Sequence, residues 1–413
     1  MIQRIVQIVP ALPPSIGGVG DYALQLACQF RQRNGWETSF LVGNATWSGP
    51  STIAGFPVHR LEVATADRLS EQLNRDRAQT VLLQYSGYGY AKRGCPQWLI
   101  SGLRHWLQQG QPRRLVTMFH EIYAAGPPWS SAFWLSNKQR SLSAQLVKLS
   151  AGCLASRADY ARQLQAWQSL PQPPAIALPV FSNVGEPANL LPLASRPRQL
   201  AIFGASSTRL RIYQQALLPL QQICQQLRIE QIVDIGPTIE GTLPVIGKTP
   251  IAIAGALPAA EVSQILAKSV AGMVHYPTDF LAKSGVFAAY CAHGLLPIVV
   301  TDRSLKATDG LVPVTHYWPV ELGRRDRTLH RSQPLGDFSE RKYHRHSRVG
   351  GNPGKKSWVE PGKSFPEISL TLTQAQTIAQ QARAWYQPHC LAQQAETFAR
   401  CIQQTLPAPP LLE

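Results

Sequence analysis

The chain has 413 residues, 44% of them hydrophobic, and a formal net charge of +16. The length exceeds one ordinary core and points to two domains. No run approaches the ~20 apolar residues that span a bilayer, and the scattered seven cysteines form no CxxC pair, which disfavours a zinc site or a disulfide frame. Reduced thiols in a cytoplasmic protein are the expectation. The start, MIQRIVQIVPALPP, carries one Arg and a short apolar run without a cleavage site, so it reads as a first strand and not as a signal peptide.

The positive charge invites a nucleic-acid reading, but its distribution weakens it. Residues 323–363 hold eleven Lys or Arg against four Asp or Glu, a net of +7, and the remaining +9 reads as spread over the other 372 residues, with small clusters at Lys92–Arg93 and Arg113–Arg114. A diffuse basic surface suits an acidic substrate or an anionic membrane face as well as it suits RNA. No zinc-finger spacing and no aromatic RNA-binding motif is present.

In chain order, residues 2–9 form a β-rich apolar strand, followed by the Pro/Gly loop PALPPSIGGVGD. Tyr22, Leu26 and Phe30, with Ala23 and Ala27, then mark one face of a helix. Residues 38–42, 81–85 and 115–119 are further apolar strands, with helical spacing at 98–107 and 141–149. Strands alternating with helices predict a parallel sheet covered on both faces. Residues 171–197 contain seven prolines and read as a connector. A second alternation follows: strands at 200–203, 232–235, 251–254 and 272–276, and helices at 212–227 and 258–269. The fold class expected is α/β, two doubly wound Rossmann-like domains facing a cleft, with the ligand at the carboxyl ends of both sheets.

The segment 276–300, YPTDFLAKSGVFAAYCAHGLLPIVV, reads as a loop, a helix over 282–293, a stop at Gly294 and a buried strand over 295–300. A polar loop feeding a helix N-terminus suits an anion, and Lys283 and Ser284 lie there. Residues 323–366 lack apolar periodicity and read as a basic, unstructured insert, within which RHSRVGGNPGKK resembles a peptide translated from a bacterial interspersed repeat. Residues 371–401 return to helical spacing, broken at Pro388, as two closing helices. The expected organisation is an acceptor domain over 1–180, a linker over 181–199, a nucleotide-sugar domain over 200–322, the insert over 323–366 and the closing helices over 367–413.

Three motifs carry possible chemistry. SIGGVGD places Gly17, Gly18 and Gly20 between a strand and a helix; it is neither GxGxxG nor a P-loop, and a tight turn explains it equally well. FHEIYAAG places His120 and Glu121 just past a strand, where His120 is a base, a hydroxyl ligand or a structural histidine. FGASSTRLR offers Arg209 as a phosphate fork or as a solvated helix-start arginine.

Over about 1–310 and the closing helices, the order of parts resembles the two-domain GT-B glycosyltransferases, in particular the retaining nucleotide-sugar group of polysaccharide and lipopolysaccharide synthesis. The matching residues are the glycine loop, His120, FSNVGE (181–186), 203–209, DIGP (234–237), AGALPAAEVSQIL (254–266) and the segment 276–300. The resemblance implies that Gly17, Gly18 and Gly20 lie near a donor diphosphate, that an Arg and a Lys hold the phosphates, and that a Glu of an E-x7-E pair supports the sugar. Aligned on Gly294, that pair falls on Leu281 and Ala289, and no Lys-Gly follows Arg209. Lys283 and Ser284 then take over the phosphate role beside Arg209, with His120 orienting sugar or acceptor. The implied partners are a nucleotide-sugar and a glycan or lipid-linked acceptor, in the cytoplasm or peripheral to an anionic membrane, with no metal and no separate cofactor. A catalytically silent module of the same fold, binding a partner protein or glycan, is the alternative; nucleic-acid binding through the insert ranks last.

Overall fold

The computed structural model describes residues 3–15, 17–109, 112–124, 126, 128–169, 172–303, 305–322 and 370–404. The basic stretch 323–366 lies outside the described residues.

Strands β1 (Arg4–Val9), β2 (Glu37–Val42), β3 (Thr52–Ile53), β4 (Phe56–Arg60), β5 (Thr80–Tyr85), β6 (Arg114–Phe119), β7 (Gly152–Ala155) and β8 (Ile176–Ala177) make one sheet. Its order is β3-β4-β2-β1-β5-β6-β7-β8, parallel except for the β3–β4 hairpin. Strands β9 (Gln199–Phe203), β10 (Gln231–Ile235), β11 (Ile251–Gly255), β12 (Ala271–His275), β13 (Leu296–Thr301) and β14 (Trp318–Glu321) make a second, fully parallel sheet in the order β11-β10-β9-β12-β13-β14. Each sheet is wound outward from its first strand in both directions. Ile8 of β1 is flanked by Leu41 of β2 and Leu83 of β5, and Ile202 of β9 by Asp234 of β10 and Met273 of β12. In such sheets the crevice opens at the carboxyl ends where the winding reverses. That places the loops after β1, β6, β9 and β12 at the candidate site.

β5 and β13 are buried at every position, as strands covered by helices on both faces must be. The expected helix over 212–227 is two helices, Ser206–Gln215 and Leu217–Gln226, separated at Ala216. Pro219 sits in the first turn of the second, where its missing N–H costs no hydrogen bond. The expected helix over 282–293 starts later: residues Thr278–Lys283 form a 3-10 turn, Ser284 caps, and the helix runs Gly285–Ala292. Gly294 follows in the left-handed conformation (φ 58°) that glycine tolerates.

The closing helices Leu372–Tyr386 and Leu391–Gln404 are joined by a 3-10 turn that contains Pro388. The first packs on Gly285–Ala292 and β13, and the second on the helix Gly18–Asn34 of the first sheet. One core cluster therefore runs through both domains. Tyr22 stacks on Phe181 at 4.2 Å and meets Phe398 edge-on, and Phe287 meets Tyr317 and Trp385 edge-on. Such aromatic contacts, together with the area they bury, hold the two sheets in one arrangement.

Candidate active site in the cleft

The loop after β1 delivers Gly17 to the N-terminus of the helix Gly18–Asn34. No side chain caps that terminus, so its first N–H groups point outward with the positive end of the helix dipole. The three glycines differ in role. A Cβ on Gly20 would lie 2.4 Å from the Ala11 carbonyl oxygen, so Gly20 lets the helix approach the loop. A Cβ on Gly17 would meet nothing within 4 Å, and one on Gly18 would meet only Nδ2 of Asn183 at 3.9 Å. Gly17 and Gly18 thus leave open space in front of the terminus. Asp21 lies in the same first turn, and burial pushes its carboxyl up to about 6.

His120 follows β6 and is 6% exposed. Its Nε2 lies 2.9 Å from Oε1 of Gln84, while Nε2 of that amide donates to Oε1 of Gln7 at 3.1 Å. Nε2 of Gln7 in turn donates to the Ala23 carbonyl at 3.4 Å. With Gln84 presenting its carbonyl oxygen, Nε2 of His120 must donate, and Nδ1 keeps its lone pair. Nδ1 has no hydrogen-bond partner among the described residues. Burial, reinforced by the positive charge of Lys283, lowers the imidazole to about 3, so it is neutral at physiological pH. Tyr22 braces the ring edge-on at 5.0 Å.

Across the cleft, the turn after β12 carries Lys283 and Ser284. Oγ of Ser284 accepts from the Phe287 amide at 3.2 Å, making it the N-cap of Gly285–Ala292. Nζ of Lys283 donates to Oε1 of Glu121 at 3.4 Å, and Ser86 holds the other carboxylate oxygen at 3.0 Å. Burial pulls the ammonium down, but Glu121, Tyr160 and Tyr276 outweigh it and the net shift is upward. Lys283 is charged, and Glu121 occupies it.

Asn183 joins the two halves. Its Nδ2 donates to the Gly18 carbonyl at 3.3 Å, its own carbonyl accepts from Gln25, and a Cβ on Gly285 would lie 3.8 Å from the same Nδ2. The amide of one connector residue thus stands between two helix N-termini, one from each domain. A second bridge lies nearby: Asp309 caps the helix Ala158–Trp167 by accepting from the Ala158 amide at 2.7 Å and pairs with Arg157 at 3.4 Å.

Arg209 departs from the expectation. It is 1% exposed; Nη1 donates to Asp234, Nη2 to the Pro237 carbonyl and Nε to the Gly204 carbonyl at 2.9 Å, while Tyr213 donates to the other Asp234 oxygen at 2.8 Å. All three guanidinium nitrogens brace the turns after β9 and β10, and none faces the cleft. Leu281 and Ala289, aligned to the carboxylate pair, are buried apolar residues. Among the described residues no cluster of three His, Cys, Asp or Glu could hold a metal ion. The structure therefore brings together Gly17, Gly18, His120, Lys283 and Ser284, and sets Gly20 and Arg209 behind them. Asn183, Glu121 and Gln84 were not assigned roles from sequence. Asn183 and Glu121 each had a signal, the connector motif for the one and FHEIYAAG for the other.

Solved structures share this architecture. Trehalose-6-phosphate synthase OtsA aligns with a TM-score of 0.55 at 11% identity, over 98% of this chain and 100% of that one. WaaG, a glycosyltransferase involved in lipopolysaccharide biosynthesis, aligns with a TM-score of 0.54 at 10% identity, over 97% and 100%. The α,α-trehalose-6-phosphate synthase of Burkholderia multivorans aligns with a TM-score of 0.54 at 12% identity, over 98% and 96%. No protein-family model and no curated protein matches the sequence. At these identities the likeness establishes the fold: two parallel α/β sheets in the GT-B arrangement.

Two stability predictions follow from the charges. Replacing Arg209 with Met leaves Asp234 buried without its cation, and urea unfolding is expected to show a loss of roughly 3–5 kcal/mol; a loss under about 1 kcal/mol would contradict the bracing role. For Asp21 the raised folded value means that ionisation works against folding: the penalty is absent below the ordinary value of 3.8, grows from there to about 6 and is full above. Asp21→Asn is expected to stabilise the protein by roughly 1–3 kcal/mol at about pH 8 and by nothing below about pH 4. Equal stabilisation at both ends would show that the cause is not the charge.

Proposed function

We propose that the chain is a glycosyltransferase that moves a sugar from a nucleotide-sugar donor to a glycan or lipid-linked acceptor, in the service of cell-surface polysaccharide synthesis. The observation that carries this reading is the convergence of two helix N-termini, at Gly17–Gly18 and at Ser284–Gly285, on one spot beside Lys283. Free backbone N–H groups, the positive ends of two helix dipoles and one ammonium make a receptacle for a diphosphate. In the transfer step the glycosidic bond to the donor breaks and negative charge develops on the departing nucleoside diphosphate. Groups already oriented toward that charge stabilise it without reorganising. The charge comes here from protein groups, and no metal is invoked. Neutral His120 has an unpaired Nδ1 that accepts a hydrogen bond from a hydroxyl of sugar or acceptor. Lys283 reaches the diphosphate by leaving Glu121, so donor binding and breakage of that pair are coupled.

One observation favours a second reading, a module that binds without transferring: both positions aligned to the carboxylate pair are buried and apolar. Turnover separates the two. Calorimetry against UDP, GDP, ADP and their common sugars is expected to find one nucleotide that binds. Lys283→Ala is expected to weaken it by 1.5–3 kcal/mol, roughly 10- to 100-fold. Transfer or hydrolysis of the matching nucleotide-sugar supports the enzyme; binding without turnover supports the silent module. No nucleotide binding at all contradicts the site.

A further inference from the structure

A surface cavity of about 270 Å³ lies between the connector and the closing helix Leu372–Tyr386, with Gly294 in its wall. Gly294 follows the carboxyl end of the helix Gly285–Ala292, whose amino end at Ser284 faces the cleft. The helix has 8 residues, which puts about 12 Å between the two ends. The cavity is therefore a different place from the candidate diphosphate site.

Two arginines line it, Arg196 from the connector and Arg383 from the closing helix. A Cβ on Gly294 would lie 3.6 Å from Nη2 of Arg196 and 3.7 Å from Cδ of Arg383, so both side chains flank one residue. Arg196 is 5% exposed. Its Nη1 donates to the Ser269 and His293 carbonyls at 2.9 and 3.1 Å, and its Nε to the Leu191 carbonyl at 2.9 Å. Nη1 of Arg383 donates to the Ala292 carbonyl at 2.9 Å, and its Nη2 to the Pro187 and Ala188 carbonyls at 3.0 and 3.2 Å. Nη2 of Arg196 and Nε of Arg383 have no acceptor among the described residues. No carboxylate there pairs with either guanidinium. Glu186 of the connector is held by the Tyr386 hydroxyl and by the Leu391 amide at 2.8 Å. The helices Leu372–Tyr386 and Gly285–Ala292 contain no acid. Glu261 sits in the first turn of Ala259–Lys268, at the opposite end from Ser269.

Capping of a helix end explains only part of this. A helix C-terminus carries about half a negative charge, while each guanidinium carries a full positive one. Burial, with Arg383 alongside, lowers Arg196 to about 10, so the two cations coexist at a cost. Gln376 and Gln380 lie on the same stripe of helix as Arg383. Oε1 of Gln376 accepts from the Leu193 amide at 2.6 Å, which leaves its Nε2 as a donor. Leu190, Leu191 and Pro192 supply an apolar wall. We propose that this cavity is a second anion site, which binds a phosphate group between Arg196 and Arg383 with the Gln376 amide at its edge. Guanidinium forks match phosphate oxygens in shape, and a phosphate monoester carries close to the two negative charges that the pair lacks. The apolar wall suits the organic part of an ester.

The test is calorimetry of the full chain carrying Lys283→Ala, which weakens the cleft for anions, against phenyl phosphate and inorganic phosphate. Saturable binding of one phosphate per chain is the expected result. Tighter binding of phenyl phosphate assigns the site to an ester, and equal binding assigns it to free phosphate. Arg383→Gln is expected to lower the affinity roughly 10- to 100-fold. Because Arg383 also ties the helix end to the connector, Gln380→Glu is the second variant. It alters an exposed side chain and places a negative charge at the rim. It is expected to lower phosphate affinity at least about tenfold, keep the wild-type unfolding temperature and leave nucleotide affinity unchanged. No saturable binding overturns the proposal, and so does binding that neither substitution weakens. Equal loss of phosphate and nucleotide affinity in Gln380→Glu would place the phosphate in the cleft and overturn it too.

Discussion

The structure depends on one strap of chain, residues 179–186, which is gripped from every side. Gln394 donates to the Pro179 carbonyl, the Val180 amide to Ala282 at 2.8 Å and the Tyr386 hydroxyl to Glu186, while the Ser182 amide donates to that hydroxyl at 2.8 Å. Phe181 stacks on Tyr22, and Asn183 binds the start of the helix Gly18–Asn34. The partners belong to the first domain, the second domain and both closing helices. Each bond alone is worth on the order of 1 kcal/mol, but together they set how far apart the two sheets stand. The width of the cleft and the approach of the two helix N-termini follow from that.

Two helix N-termini facing each other carry like partial charges, and the lone ammonium of Lys283 adds to them. The protein offsets this with what it has. Glu121 neutralises Lys283, and Asp21 sits in the first turn of one helix at the cost of a raised carboxyl. The polar line from His120 through Gln84 and Gln7 obeys the opposite logic. It is buried, uncharged and satisfied at each bonded atom, so it fixes the orientation of the imidazole without adding charge.

Much of the fold was legible because parallel strands buried on both faces write continuous apolar runs, as β5 and β13 do. The strands β3, β4, β7, β8 and β14 were not, being two to five residues long, with Pro57 inside β4 and Pro319 inside β14. The sequence places the helix start at Ala282, three residues early, because the 3-10 turn over Thr278–Lys283 runs directly into the Ser284 cap. The site was only partly legible. Lys283 and the glycine loop stood out because a polar loop before a helix has a physical meaning by itself. Arg209 misled for the same reason: a strand, a small-residue loop and an arginine look like a phosphate fork until Asp234 of the neighbouring strand claims it. That pairing is set by sheet order, which no local window contains.

The most direct test of the central claim is a crystal structure with the nucleoside diphosphate that binds. The diphosphate is expected between Gly17–Gly18 and Ser284–Gly285, with Lys283 turned from Glu121 onto a phosphate oxygen. A diphosphate bound elsewhere, with Asn183 and the Lys283–Glu121 pair undisturbed, would contradict it.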